Sequence, residues 1–217
     1  MLVLAIDTSS AAVSAAVVSV VDGDLLAQRV TIDARAHGEL LAPSIAACLD
    51  DAGLAPHGLA AIVAGVGPGP FTGLRVGLVT AAAMADALGI PAYGVCSLDA
   101  LAAAVKADSL LVATDARRRE VYWGRYVGGG RVEGPFVDKP AELSTVDVQA
   151  MTGAGARLYA DVLGLPLLDI DYPDLVSLVR LAASEIRSRA PGEALTPLYL
   201  RRPDAVVPGT AKAVTQR

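Results

Sequence analysis

The chain has 217 residues, enough for one large domain or for two small lobes that share an interface. It is 53% hydrophobic with a formal charge of -5 and a pI near 5.0, a field that repels polyanions and argues against tight nucleic-acid binding by this chain alone. Cys48 and Cys96 lie in apolar surroundings without metal-ligand spacing, and the apolar N-terminus lacks a basic flank and meets Asp7 at once, so the expectation is a cytoplasmic protein with free thiols, no signal peptide and no membrane partner.

In chain order, Leu2 to Ile6 is a continuous apolar run that ends in Asp7, Thr8 and Ser9, the pattern of a buried strand delivering polar side chains at its C-terminal edge. Val13 to Val21 and Leu25 to Ile32 read as two further strands joined by the turn signal Asp22-Gly23. His37 to Asp51 spaces Leu40, Leu41, Ile45, Cys48 and Leu49 for one helical face, and Gly53 stops it. The apolar run Leu59 to Ala64 leads into a loop rich in glycine and proline, and a helix follows from Gly73 to Leu88. That helix is apolar nearly all round, with Arg75, Thr80 and Asp86 its clearly polar residues, and so needs cover on more than one side. Ile90 to Val95 is another strand, and Ser97 is read as the N-cap of a helix reaching about Lys106.

A second unit then begins. Leu110 to Ala116 reads LLVATDA beside LVLAIDT at Leu2 to Thr8, which pairs Asp115 with Asp7. The strands Val121 to Val127 and Arg131 to Val137 repeat the meander around the Gly128-Gly129-Gly130 turn, so the chain carries an internal duplication. The repeat then decays: a short helix over Glu142 to Gln149, a turn at Gly153-Ala154-Gly155, an amphipathic helix carrying Leu175, Leu178, Val179, Ala182 and Ile186, and PLYLRR at Pro197 to Arg202 as the last ordered element before a frayed tail from Pro203. The expected division is an N-terminal lobe over 1–106, a reduced C-terminal lobe over 107–202 and the tail 203–217.

Two β-β-β-α-β-α units with an Asp at the tip of each first strand imply an α/β fold of two lobes facing across a cleft, which resembles the actin, heat-shock-protein-70 and sugar-kinase superfamily. Nucleotide phosphates would then fall near Asp7, Thr8, Ser9 and Asp115. Against a working site, the second turn, Asp115-Ala116-Arg117-Arg118-Arg119, has no glycine for close phosphate approach, and Pro68 and Pro70 each remove a backbone donor from the loop. The alternative is that both aspartates cap hairpins or helix ends. His37 and His57 have no setting that asks for a metal, and no Ser, His and Asp grouping stands out, so catalytic residues, metal and cofactor are all expected to be none. The short runs Arg117 to Arg119 and Arg201-Arg202 read as solvated surface, with a nucleic-acid contact only with help from a partner.

IDTSS at Ile6, HGELLAPSI at His37, GPGPFTGLRVGLVTAAAMA at Gly67, SLDAL at Ser97, DARRREVYW at Asp115 and PLYLR at Pro197 together resemble the TsaB family over about residues 1–202. Pro70, where the family usually has Ser, is one departure. The resemblance implies a non-catalytic subunit of bacterial tRNA threonylcarbamoyladenosine synthesis. It would pair with a TsaD-type catalytic subunit, receive a TsaE-type ATPase and meet tRNA only indirectly through the complex. The metal-binding histidines of the catalytic relative fall here on Ser97 and Leu101, which cannot replace them. The implied partner surface is formed by His37, Leu41 and Ile45 on the first helix and by Phe71, Leu74, Arg75, Leu78, Val79, Ala82 and Met84 on the second. The rival expectations are an active ATPase or kinase of the same superfamily and a homodimer using the same helices.

Overall fold

The computed structural model describes residues 1–201; Arg202 and the expected tail 203–217 lie outside the described residues. Strands β1 (Leu2–Asp7), β2 (Ala12–Ser19) and β3 (Leu25–Ile32) form an antiparallel meander, and β1 pairs in parallel with β4 (Ala61–Gly65), which pairs with β5 (Ala92–Val95), giving the order β3-β2-β1-β4-β5. β2 and β4 are buried along their whole length, the reason they read as continuous apolar runs instead of alternating ones. Helices α1 (His37–Asp51) and α2 (Phe71–Leu88) cover one face of this sheet. Leu41, Ile45, Cys48, Leu74, Leu78 and Ala81 pack there against Leu4, Ile6, Val13 and Ile62.

α3 (Ser97–Ala103) carries the chain between the lobes and packs Leu98 and Leu101 against Leu110, Val112 and Tyr126. The Tyr126 hydroxyl donates to Asp99 at 2.7 Å, tying the second sheet to this helix. The second lobe is a sheet of β6 (Ser109–Asp115), β7 (Val121–Val127), β8 (Gly130–Asp138) and β9 (Ala150–Thr152) in the order β8-β7-β6-β9. It repeats the first lobe's meander and parallel return and stops one strand short, so the expected duplicated α/β architecture is present with a reduced second copy. Where the first lobe has an 18-residue helix after its parallel strand, the second has only α4 (Ala154–Leu158) and α5 (Ala160–Leu163).

Two sequence expectations fail in this lobe. No helix spans Glu142 to Gln149: a single 3-10 turn at Pro140–Glu142 gives way to irregular chain, and Asp147 at φ 59 adopts the left-handed conformation a right-handed helix cannot continue through. Gly153-Ala154-Gly155 is not a turn but the entry to a helix. Gly153 enters α4 at φ 104, where a Cβ would lie 2.3 Å from the Ala113 carbonyl oxygen.

The amphipathic helix is present as α6 (Leu175–Ser188), capped by the Asp174 carboxylate on the Ser177 N–H at 2.7 Å. It does not stay with the second lobe. Leu175, Leu178, Val179 and Ile186 bury against Val3, Ala5, Val18 and Val63 on the far face of the first sheet, so α1 and α2 on one side and α6 on the other sandwich it. The segment after α6 also returns to the first lobe: Leu195 packs on its core and the Leu198 N–H donates to the Val66 carbonyl at 2.8 Å.

Candidate functional site in the interlobe cleft

The end of β1 is a closed polar knot. Asp7 is 1% exposed; its Oδ1 accepts from the Ser9 N–H at 2.9 Å and the Ser9 hydroxyl at 2.7 Å, and its Oδ2 accepts from the Ser97 hydroxyl at 2.6 Å. Ser97 Oγ accepts in turn from the Gly67 N–H at 3.2 Å. Burial raises the Asp7 pKa above its ordinary value, and the hydrogen bonds from Ser97 and Ser9 partly offset that rise. Ser97 is thus no N-cap. Cys96 occupies that position, and the Ser97 hydroxyl is spent on a carboxylate that lies 90 positions away in the sequence.

Thr8 continues the knot, donating to the Gly73 carbonyl at 2.8 Å and accepting from the Gly77 N–H at 3.1 Å. The glycines facing this turn recur every fourth residue. A Cβ on Gly65 would lie 1.8 Å from Asp7 Oδ2, on Gly69 2.1 Å from the Ser9 carbonyl oxygen, on Gly73 2.8 Å from the Thr8 carbonyl oxygen and on Gly77 2.3 Å from Thr8 Oγ1. The glycine-rich stretch is therefore a contact seam that lets α2 and its entry loop lie directly on the β1–β2 turn. His37 closes the arrangement from α1: its Nε2 donates to the Ser10 carbonyl at 2.8 Å. The side chains of Asp7, Thr8 and Ser9, expected to stand near nucleotide phosphates, all have hydrogen-bond partners inside the fold.

Asp115, the partner of Asp7 in the duplication, does something else. Its side chain is 34% exposed, its Oδ1 accepts from the Arg117 N–H at 2.8 Å, and its Oδ2 stands 3.8 Å from the Arg117 guanidinium. It caps a tight turn in which Arg117, Arg118 and Arg119 take φ values of 63, 52 and 63. The Ala116 N–H bonds the Glu120 carbonyl across that turn, and Arg201 clasps it by donating to the Ala116 carbonyl and pairing with Glu120. Between this turn and the start of α2 lies a cavity of about 190 Å³ lined by Pro70, Phe71, Arg117, Tyr122, Tyr199 and Arg201. The Phe71 and Tyr199 rings stack at 5.0 Å, and the Arg75 guanidinium stands 4.2 Å over Phe71.

The expected partner surface divides by helical phase. Leu41, Ile45, Leu74 and Leu78 are in the core of their own lobe, His37 is buried by its bond to Ser10, and Met84 is half-buried against the same core. Leu41, Ile45, Leu74, Leu78 and His37 are thus buried within this lobe, and Met84 keeps part of its surface. Phe71, Arg75, Val79 and Ala82 do face outward, and Val79 is 65% exposed. Sequence reasoning had no place for Arg35, Tyr122 or Tyr199 in the cleft. The spacing of four among Gly65, Gly69, Gly73 and Gly77 was visible in the sequence.

A family model described as TsaD, tRNA N6-adenosine threonylcarbamoyltransferase, matches residues 26–205. An uncharacterized protein of Mycobacterium leprae is 50% identical over 206 residues, covering 94% of this chain and 56% of its own length. The Bacillus subtilis tRNA threonylcarbamoyladenosine biosynthesis protein TsaB is 36% identical over 128 residues, covering 58% of this chain and 55% of its own length. The chain thus spans about half the length of these two curated relatives. The solved structure of YeaZ from Pseudomonas aeruginosa superposes with a TM-score of 0.77 at 30% identity, covering 92% of this chain and 99% of that one.

Proposed function

The chain belongs to the TsaB (YeaZ) family, and from that premise we propose that it is a non-catalytic subunit acting in tRNA threonylcarbamoyladenosine biosynthesis, docked on a TsaD-type threonylcarbamoyltransferase in the cytoplasm. The observation that carries the docking role is the outer face of α2. The helix buries Leu74, Leu78, Ala81 and Ala85 in its own lobe and leaves Arg75, Val79, Ala82 and Ala83 in solvent, an apolar strip of small residues with one cation at its end. Small side chains let a second helix approach closely, and the strip gains free energy only when covered. Support for a non-catalytic role comes from the knot around Asp7, whose carboxylate oxygens are both engaged by this chain's own serines. A TsaE-type ATPase would meet the assembled pair, and a homodimer through the same strip is compatible with it as a competing state.

Replacing Val79 and Ala82 together by Glu tests the assignment. Both residues are exposed, so the variant should keep the wild-type melting temperature while losing co-purification with the TsaD-type protein of the same organism. Undiminished co-purification would refute docking through α2. Light scattering on the isolated chain, wild type against variant, reports separately whether the strip also pairs with a second copy.

A further inference from the structure

The cavity beneath the arginine turn is one end of a longer trough. A second cavity, of about 270 Å³, is lined by Ser10, Arg35, His37, Thr72, Gly73 and Arg117, and it shares Pro70, Phe71 and Arg117 with the first. Arg35, Arg117, Arg118 and Arg201 all line this trough, and no carboxylate lines either of its cavities among the described residues. That is a pronounced local excess of positive charge in a chain with 23 acidic and 18 basic residues. Three acids stand beside the trough: Asp33 accepts from the Arg35 N–H at 2.8 Å, Asp115 caps the turn and Glu120 holds Arg201. The guanidinium groups of Arg35 and Arg119 form no ion pair among the described residues, and both side chains are exposed. Alongside the cations stand two part-exposed stacked rings, Phe71 at 42% and Tyr199 at 39% exposure.

We propose that this trough, through Arg35 and Arg117 on its rim and Tyr199 on its wall, contacts the phosphodiester backbone and bases of a single-stranded segment of tRNA held by the complex. The inference rests on the family reading above, which supplies tRNA as the substrate of the assembly. Cations spaced along an open groove with aromatic faces between them match how single strands are held, phosphates by guanidinium groups and bases by stacking. A small free nucleotide fits less well. The arginine turn has no glycine to admit a phosphate to its backbone. The overall charge of -5 explains why such a contact would need the partner's help to hold RNA.

The test uses the complex of this chain with the TsaD-type protein and a fluorescently labelled, unmodified tRNA transcript, titrated over a range of salt concentrations. The variants are Arg35→Gln with Arg117→Gln, and the same two positions changed to Lys. The Gln pair should weaken binding about ten-fold at low salt, and the slope of log affinity against log salt should shrink by about 0.7–0.9 for each lost phosphate contact. The Lys pair, which keeps both charges, should retain most of the affinity and the slope. Unchanged affinity and slope in the Gln pair, with the complex intact, would overturn the proposal. So would a loss of affinity at constant slope, since the arginines would then not face phosphates. Loss of co-purification with the TsaD-type protein would overturn it as well, by assigning the arginines to an acidic protein surface. If the wild-type chain forms no complex at all, the family reading of its partner fails on that measurement, before any arginine is changed, and the tRNA contact that rests on it falls with it.

Discussion

The two aspartates that end β1 and β6 occupy the same place in a duplicated unit and have opposite fates. Asp7 is sealed beneath a helix of 18 residues, gripped by two serines and approached so closely that Gly65 has no room for a Cβ. Asp115 faces a remnant helix of five residues, and the glycine that approaches its strand, Gly155, comes against the Thr114 and Asp115 backbone and leaves the carboxylate pointing at a solvent-exposed turn. The length of the following helix separates the two: α2 covers its turn and makes the acid structural, whereas α4 is too short to do so and leaves a charged rim. One half of the duplication has become cohesion and the other has become surface.

The sharpest way to break that contrast is at Gly65. With a Cβ 1.8 Å from a buried carboxylate oxygen and 2.7 Å from the Ser97 hydroxyl oxygen, Gly65→Ala should cost more than about 3 kcal/mol or prevent folding, read as the midpoint of urea denaturation. A variant within about 0.5 kcal/mol of wild type would show that the knot is loose.

Next in size is the contact between α2 and Thr8. Gly77→Ala puts a Cβ 2.3 Å from Thr8 Oγ1, an overpacking of about 1–3 kcal/mol, set against a gain of about 1 kcal/mol in helix propensity. Thr8→Ala removes the obstructing oxygen along with its bonds to Gly73 and Gly77. The double variant should therefore be more stable than the sum of the two single changes, with a coupling of about 1 kcal/mol or more in a double-mutant cycle. Strict additivity would mean that the seam is not the contact it looks like.

The charge state of the knot gives a smaller and pH-dependent effect. Because burial raises the folded-state pKa of Asp7, its contribution to stability is fully present below the ordinary carboxylate range and is lost as pH rises through the raised value. Asp7→Asn cannot ionise, so its melting temperature relative to wild type should improve as pH rises from about 3 through the acidic range. A constant difference would show that this carboxylate titrates as it does in the unfolded chain.

Most of the framework could be read directly from residues. β3, α1 and β7 fall on their expected bounds, because alternation, helical spacing and turn signals at Gly23, Gly53 and Gly128 are local properties. The duplication was legible for the same reason. What could not be read is which distant surface each element meets. Ser97 after a strand looks like a cap until Asp7 is beside it, and the apolar face of α6 says that it needs a partner without saying that the partner is the first sheet. Apolarity also misled at the expected docking surface: Leu41, Ile45, Leu74 and Leu78 were chosen for the property that puts them in the core, although the phase separating 74, 78, 81 and 85 from 75, 79 and 82 was available in the sequence.

The smallest expected effect belongs to Asp115, and it is the one that most directly weighs the two halves against each other. Its carboxylate caps a single N–H, and its ion pair with Arg117 is long and exposed to solvent, so Asp115→Ala should cost no more than about 1 kcal/mol. Asp7→Ala, which leaves the hydroxyls of Ser9 and Ser97 without their acceptor in a buried site, should cost several times that. The turn at 117–119 holds three consecutive side-chain-bearing residues at positive φ, and the Asp115 cap and the Arg201 clasp are what hold it there. Asp115→Ala should accordingly show in the turn before it shows in global stability, as faster amide exchange at Arg117 to Glu120 with the rest of β6 and β7 unchanged. If Asp115→Ala instead destabilised the chain as much as Asp7→Ala, the second turn would be a structural knot like the first, and its arginines would be packing residues that happen to be charged.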